Sequence, residues 1–248
     1  MNFIGVDLTP ITLAGYEPTG FCVLKKDDKG PPVLAECFSL PEGDTKATRL
    51  VAEVYEARGE ARVAAMSRLV AQVNQELVDL IIEFMPGIVG LSAALSLPDG
   101  RAGYDLRLAD HILEQDPLLK AAKAGLRSAV KAPARAFRGL VVRELLDAEG
   151  LVYGEDVIEV SPGGSLACLG LPAEIGSGRL NREDVPDRLL KLLRIPRSSH
   201  LPQTDSEYSA LVAAFTGYLR FSGATEEVGD PLEGTITLPR RTGHAGSH

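Results

Sequence analysis

Tryptophan is absent from the 248 residues, and phenylalanine and tyrosine together supply only 5% of them. A protein that reads single-stranded nucleic acid by base stacking interleaves aromatics with basic residues, and this chain offers little of that. Cysteine is scarce: Cys22, Cys37 and Cys168 are odd in number and irregularly spaced. They form neither a disulfide framework nor a CxxC pair, so the expectation is small core filler in a reducing compartment. The four histidines are scattered (His111, His200, His244, His248) and no HExxH, Walker or GxGxxG string occurs. Gly163-Gly164 alone does not signal nucleotide binding. A net charge of −8 excludes a generally basic nucleic-acid coat. No apolar run reaches the ~18 residues of a membrane span, and the start MNFIGVDLT lacks signal-peptide regions. The expectation is a cytoplasmic chain with no membrane contact.

The hydrophobic pattern is that of a mixed α/β protein. Phe3–Leu8 reads as a buried strand, and Thr19–Lys25 and Pro32–Phe38 as a hairpin around the polar turn KDDKG. Apolar residues from Leu50 to Ile81 recur at three- and four-residue steps, predicting helix over 44–85 with a break at Gly59. Pro86-Gly87 ends it, and Ile88–Leu91 follows as a strand of the buried parallel type. Residues 99–150 are expected to be largely helical, interrupted at Pro117 and Pro133. Val157–Val160 is a short strand, followed by a loop rich in Gly and Pro. A helix over 186–194 with Asp184 as its cap, a stronger one over 204–219 capped by Thr204 or Asp205, and a disordered tail after Pro239 complete the reading.

The order β-β-β-α-β-α-β-α is that of the RNase H-like fold, with three antiparallel strands followed by parallel strands reached through helical crossovers. Strings within these elements add to it. IGVDLT followed by PTGFCVL, IVGLSAALSLPDG, VIEVSPGGSLACLGLP, SEYSALVAAFTGYL and GDPLEGTITLP, in that order, resemble segments of a family of uncharacterised proteins known as predicted RNase H-like nucleases. The resemblance implies one RNase H-like domain over 1–239, with helical insertions at about 44–85 and 99–150.

It also implies a chemistry. Such nucleases use two Mg²⁺ or Mn²⁺ ions, held by carboxylates, to activate water and stabilise the leaving oxygen at phosphorus. Carried over by position, Asp7 on the first strand and Glu159 on the fifth are the catalytic and metal-binding acids. They are expected on neighbouring strands facing one cleft. Where the family has acids on the fourth strand and the last helix, this chain has Ser92 and Ser209, which bring no negative charge. Asp205, one turn before Ser209, is a possible substitute ligand, as is Glu207; Asp205 is equally a helix cap. The plain structural alternatives are a turn cap for Asp7, a solvent-facing strand residue for Glu159 and small packing residues for the two serines.

One further feature stands out of the acidic background. Lys120, Lys123, Arg127, Lys131, Arg135, Arg138 and Arg143 follow one another without an acid between them. A single-sign stripe reads either as a phosphate-backbone track or as a face paired with an acidic surface of this chain or a second copy. The leading expectation is an RNase H-like relative with an incomplete carboxylate cluster. It would bind nucleic acid or a protein partner, with weak or no hydrolysis. An active metal-dependent phosphodiesterase using Asp7, Glu159 and Asp205, and a non-enzymatic structural or regulatory subunit, are the alternatives; a homo-oligomer fits any of the three.

Overall fold

The computed structural model describes residues 1–12, 15–27, 30–41, 43, 45–98, 106–122, 132–171, 190–191, 193–196 and 201–241. Strand β1 (Asn2–Asp7) is followed by a small hairpin, β2 (Ile11–Thr12) and β3 (Gly15–Tyr16). Strands β4 (Thr19–Lys25) and β5 (Val33–Leu40) form the expected larger hairpin. Helices α1 (Lys46–Glu56) and α2 (Gly59–Glu83) then lead to β6 (Pro86–Leu91). The break falls at Gly59, whose φ of +54° glycine adopts without steric cost. Thr45 caps α1 reciprocally with Thr48: its hydroxyl accepts from the Thr48 N–H, and its own N–H donates to the Thr48 hydroxyl.

Helices α3 (Leu108–Gln115), α4 (Pro117–Ala121) and α5 (Pro133–Ala148) precede β7 (Val157–Val160). The Gly-Pro stretch after β7, expected as loop, is helix α6 (Pro162–Cys168). Its proline occupies the first turn, where no N–H is needed, and the Ser161 hydroxyl caps it. Helix α7 (Asp205–Phe221) precedes β8 (Thr225–Asp230) and β9 (Gly234–Pro239), which form a hairpin. The helix over 186–194, its Asp184 cap and the end of the tail lie mostly outside the described residues.

Seven strands form one mixed sheet in the order β5-β4-β1-β6-β7-β9-β8. The pairings β5-β4-β1 are antiparallel and β1-β6-β7-β9 parallel. The first five strands carry the RNase H-like order, which β9 and β8 extend.

Side chains on successive strand residues point to opposite faces. Phe3 on β1 and Ile158 and Val160 on β7 share a core with α6 and α7. Ile4, Val6, Leu91 and Val157 face α2 and α5. Helix α7 lies close on its face because three adjacent strands present glycine beneath it. A Cβ on Gly20, Gly5 or Gly90 would meet the backbone at Ser206, Ala210 or Ala213 respectively. Among the described residues no helix is long and apolar enough to cross a membrane.

Register corrects one expectation outright. Cys22 on β4 and Cys37 on β5 are direct cross-strand partners, their Cα atoms 4.3 Å apart, and are disulfide-bonded. Spacing along the chain could not show this, because hairpin register decides which residues face each other. Cys168 is the buried free thiol.

Candidate functional site

The C-terminal ends of β1 and β6 bring Asp7 and Ser92 together. The Ser92 hydroxyl donates to Asp7 Oδ1 at 2.8 Å, and the Ser92 N–H donates to the Val6 carbonyl as the strands part. The same Oδ1 accepts from Arg135 Nη1 at 3.0 Å, in an ion pair whose side chains are 3% and 14% exposed. Arg135 reaches it from the first turn of α5. On α7, Ser206 lies beside Asp7: its hydroxyl accepts from the Gly20 N–H at 2.8 Å and lies 3.5 Å from the Asp7 carbonyl. Ser209 is half-buried on the same helix.

Glu159 does not join this group. Strand β6 separates β7 from β1, and Glu159 is registered against Leu91, itself registered against Val6. The pleat therefore puts Glu159 on the Val6 and Leu91 side of the sheet and starts Asp7, next along from Val6, on the other, where its carboxylate at the strand end is reached by Arg135 around that end. Asp7 and Glu159 are thus not on neighbouring strands as expected, but one strand and one step of the pleat apart.

Instead Glu159 forms a buried cluster. Arg107 Nη2 and Nη1 donate to its two oxygens at 2.6 and 2.7 Å, and the Leu95 N–H adds a third bond at 2.8 Å. The same guanidinium holds Asp110 through Nε and Nη2 at 2.9 and 3.1 Å and the Ser96 hydroxyl at 2.8 Å. Arg107 is fully buried. Burial opposes its charge, but Glu159 and Asp110 outweigh that and hold its pKa above the ordinary arginine value. Burial pushes the Glu159 carboxyl upward against the pull of Arg107, and Asp110 adds to the rise, since two carboxylates share one cation. Nearby, burial and then the Glu159 charge push the Tyr153 phenol up to about 12.

The remaining candidates fall in different places. Asp205 is exposed and does not cap α7; the Thr204 hydroxyl does, accepting from the Glu207 N–H at 3.2 Å. Glu207 is buried and accepts from Ser39 Oγ at 2.5 Å and the Gln203 N–H at 2.7 Å, which turns it toward β5. Of the basic stripe, Lys120 is exposed on α4, while Lys123, Arg127 and Lys131 lie outside the described residues. Arg135 is taken by Asp7. Arg138 is buried and donates to Asn74 Oδ1, the Thr9 carbonyl and Thr19 Oγ1 at 2.6–2.8 Å. Arg143 bonds the Leu95 carbonyl and Glu144 and lies over the Tyr153 ring. Helix α5 thus turns Arg135 to the Asp7 carboxylate and Arg138 into a buried set of uncharged acceptors rather than to an open surface.

A two-metal centre needs several carboxylate oxygens converging on one space. Here the two carried-over acids lie on opposite faces of the sheet, each already bound by a guanidinium. Among the described residues no group of three His, Cys, Asp or Glu side chains could hold a metal ion. The donor set does not fit the metal pair. What the edge beside Asp7 does carry is a cavity of about 280 Å³, lined by the hydroxyl-bearing residues Thr9, Ser39, Thr204 and Ser206, by Glu17 and Asp205, and by Pro18 and Gln203.

No protein-family model matches the chain, and no curated protein does. Among solved structures it is similar to Thermus thermophilus RuvC, at 16% identity and a TM-score of 0.41, covering 90% of this chain and 97% of that one. T. thermophilus RuvC in complex with a Holliday junction substrate is similar at 16% identity and a TM-score of 0.40, covering 89% and 96%. Likeness at this level carries no function across. The site's own geometry decides what it can do.

Proposed function

We propose that this chain is a non-hydrolytic RNase H-like binding domain in which arginine has taken the place of metal. The carrying observation is the Asp7–Arg135 pair, with Glu159 held by Arg107 on the far face. A guanidinium keeps its proton throughout the accessible pH range, so it neutralises a carboxylate permanently but activates no water. The acidic and hydroxyl-lined cavity beside Asp7 repels a phosphate backbone and suits a cationic or hydrogen-bonding group of a protein partner. With Arg135, Arg138 and Arg143 bound internally, the basic stripe gives less support to nucleic acid than its sequence suggests.

Calorimetric titration with Mn²⁺, beside a cleavage assay on single-stranded, duplex and branched DNA and RNA, tests this directly. Wild type should show no saturable Mn²⁺ site below millimolar concentration and no metal-dependent cleavage. Tight two-site binding would restore the active phosphodiesterase using a displaced acid such as Asp205. Salt-sensitive nucleic-acid binding lost in a Lys123→Glu, Arg127→Glu, Lys131→Glu variant would return the partner to DNA or RNA.

A further inference from the structure

Among the described residues strand β5 is an outer edge of the sheet, hydrogen-bonded on one side only, to β4. Cys37 sits half-buried midway along it, directly across from the fully buried Cys22. Both sulfurs face the first turn of α7, 3.4 and 3.9 Å from the Glu207 carbonyl oxygen. Two residues further along β5, Ser39 ties the strand to the Glu207 carboxylate and borders the cavity. We propose that Cys22–Cys37 is a reversible redox clamp that fixes the edge strand β5 against β4 and the start of α7. This holds whatever occupies the cavity.

The chemistry balances with a hydroperoxide as oxidant and a dithiol as reductant. In the reduced protein the more accessible Cys37 sulfur attacks hydrogen peroxide, giving a sulfenic acid and one water. The Cys22 sulfur then attacks the sulfenic sulfur. The S–O bond breaks, the hydroxide takes the thiol proton, and a second water leaves. Two electrons pass from the two thiols to the peroxide. In the reverse direction a dithiol attacks Cys37 Sγ, Cys22 departs and is protonated, and the second thiol of the reductant displaces Cys37. Cys168 cannot substitute, because it packs in a separate cluster with Ile236 and Leu238.

The test uses the wild-type protein in two states. Thiol titration after denaturation should give three thiols in protein reduced by dithiothreitol and one after stoichiometric hydrogen peroxide, with peptide mapping locating the link at Cys22–Cys37. Hydrogen exchange across residues 33–40 should quicken on the order of tenfold or more on reduction, while β7 is unchanged. A Cys168→Ser variant should behave identically, less one thiol in each state. Three thiols surviving peroxide, or equal exchange of β5 in both states, would overturn the clamp.

Discussion

Gly5→Ala is expected to abolish the cooperative native state. A Cβ at Gly5 would lie 1.9 Å from the Ala210 carbonyl oxygen and 2.3 Å from the Ala214 nitrogen. Both atoms belong to the backbone of α7, so no rotamer change relieves the clash. The helix would have to lift from the sheet, and Ala210, Leu211, Ala213 and Ala214 would lose the core they share with Phe3 and Cys22. Ordinary overpacking costs about 1–3 kcal/mol, when side chains can move aside. Here they cannot, and the loss should exceed that range. Thermal melts followed by circular dichroism would read it. Gly217→Ala on the same helix is the control: its Cβ would meet the Ile88 side chain at 3.2 Å, so the melt should shift only slightly. A wild-type melt for Gly5→Ala would mean that α7 does not sit on β1 as described.

The second large effect belongs to Arg107. Replacing it by methionine leaves Glu159 and Asp110 buried without their cation. Breaking a buried ion pair from one side costs about 3–5 kcal/mol. For a chain of this size that is a fall on the order of 10 °C in melting temperature. Glu159→Gln should cost less, because Arg107 keeps Asp110 and the amide oxygen still accepts from the Leu95 N–H. Converting all three charged residues to apolar ones of similar volume should recover much of the loss. Recovery should stay incomplete, since the Leu95 N–H and the Ser96 hydroxyl would lack the partners they have now. Equal melts for wild type and Arg107→Met would show that the cluster is not closed around the guanidinium.

Much of the architecture was written in local signals. The antiparallel hairpin, the helical break at Gly59, the buried strands Ile88–Leu91 and Val157–Val160 and the helix capped near Thr204 follow from period and turn chemistry. The α6 helix did not, because Pro and Gly read as loop when the serine cap before them is overlooked. The site was half legible. Asp7 and Ser92 meet as their positions implied, since both close parallel neighbours at the same end. The side to which Glu159 points depends on register through the intervening strand, which composition does not encode. Arg107 carried no distinguishing signal at all: it is one arginine in a charged stretch, and its importance comes from Glu159, 52 residues away. The stripe was legible as a run of cations, but not as to what each one meets. Regular spacing of cations marks a face, but whether that face meets solvent or carboxylates is settled by packing.

The seat of α7 on the glycines of β1 and β4 has a consequence for how the chain is made. Gly5 and Gly20 are covered by Ala210 and Ser206, and the Gly20–Ser206 bond spans 186 residues. A ribosome delivering this protein exposes β1 and β4 long before their covering helix exists. Contacts separated so widely in sequence form slowly, and open apolar faces attract other chains in the meantime. The central sheet therefore stays half-roofed through the interval between β4 and α7, and its core closes only when α7 emerges.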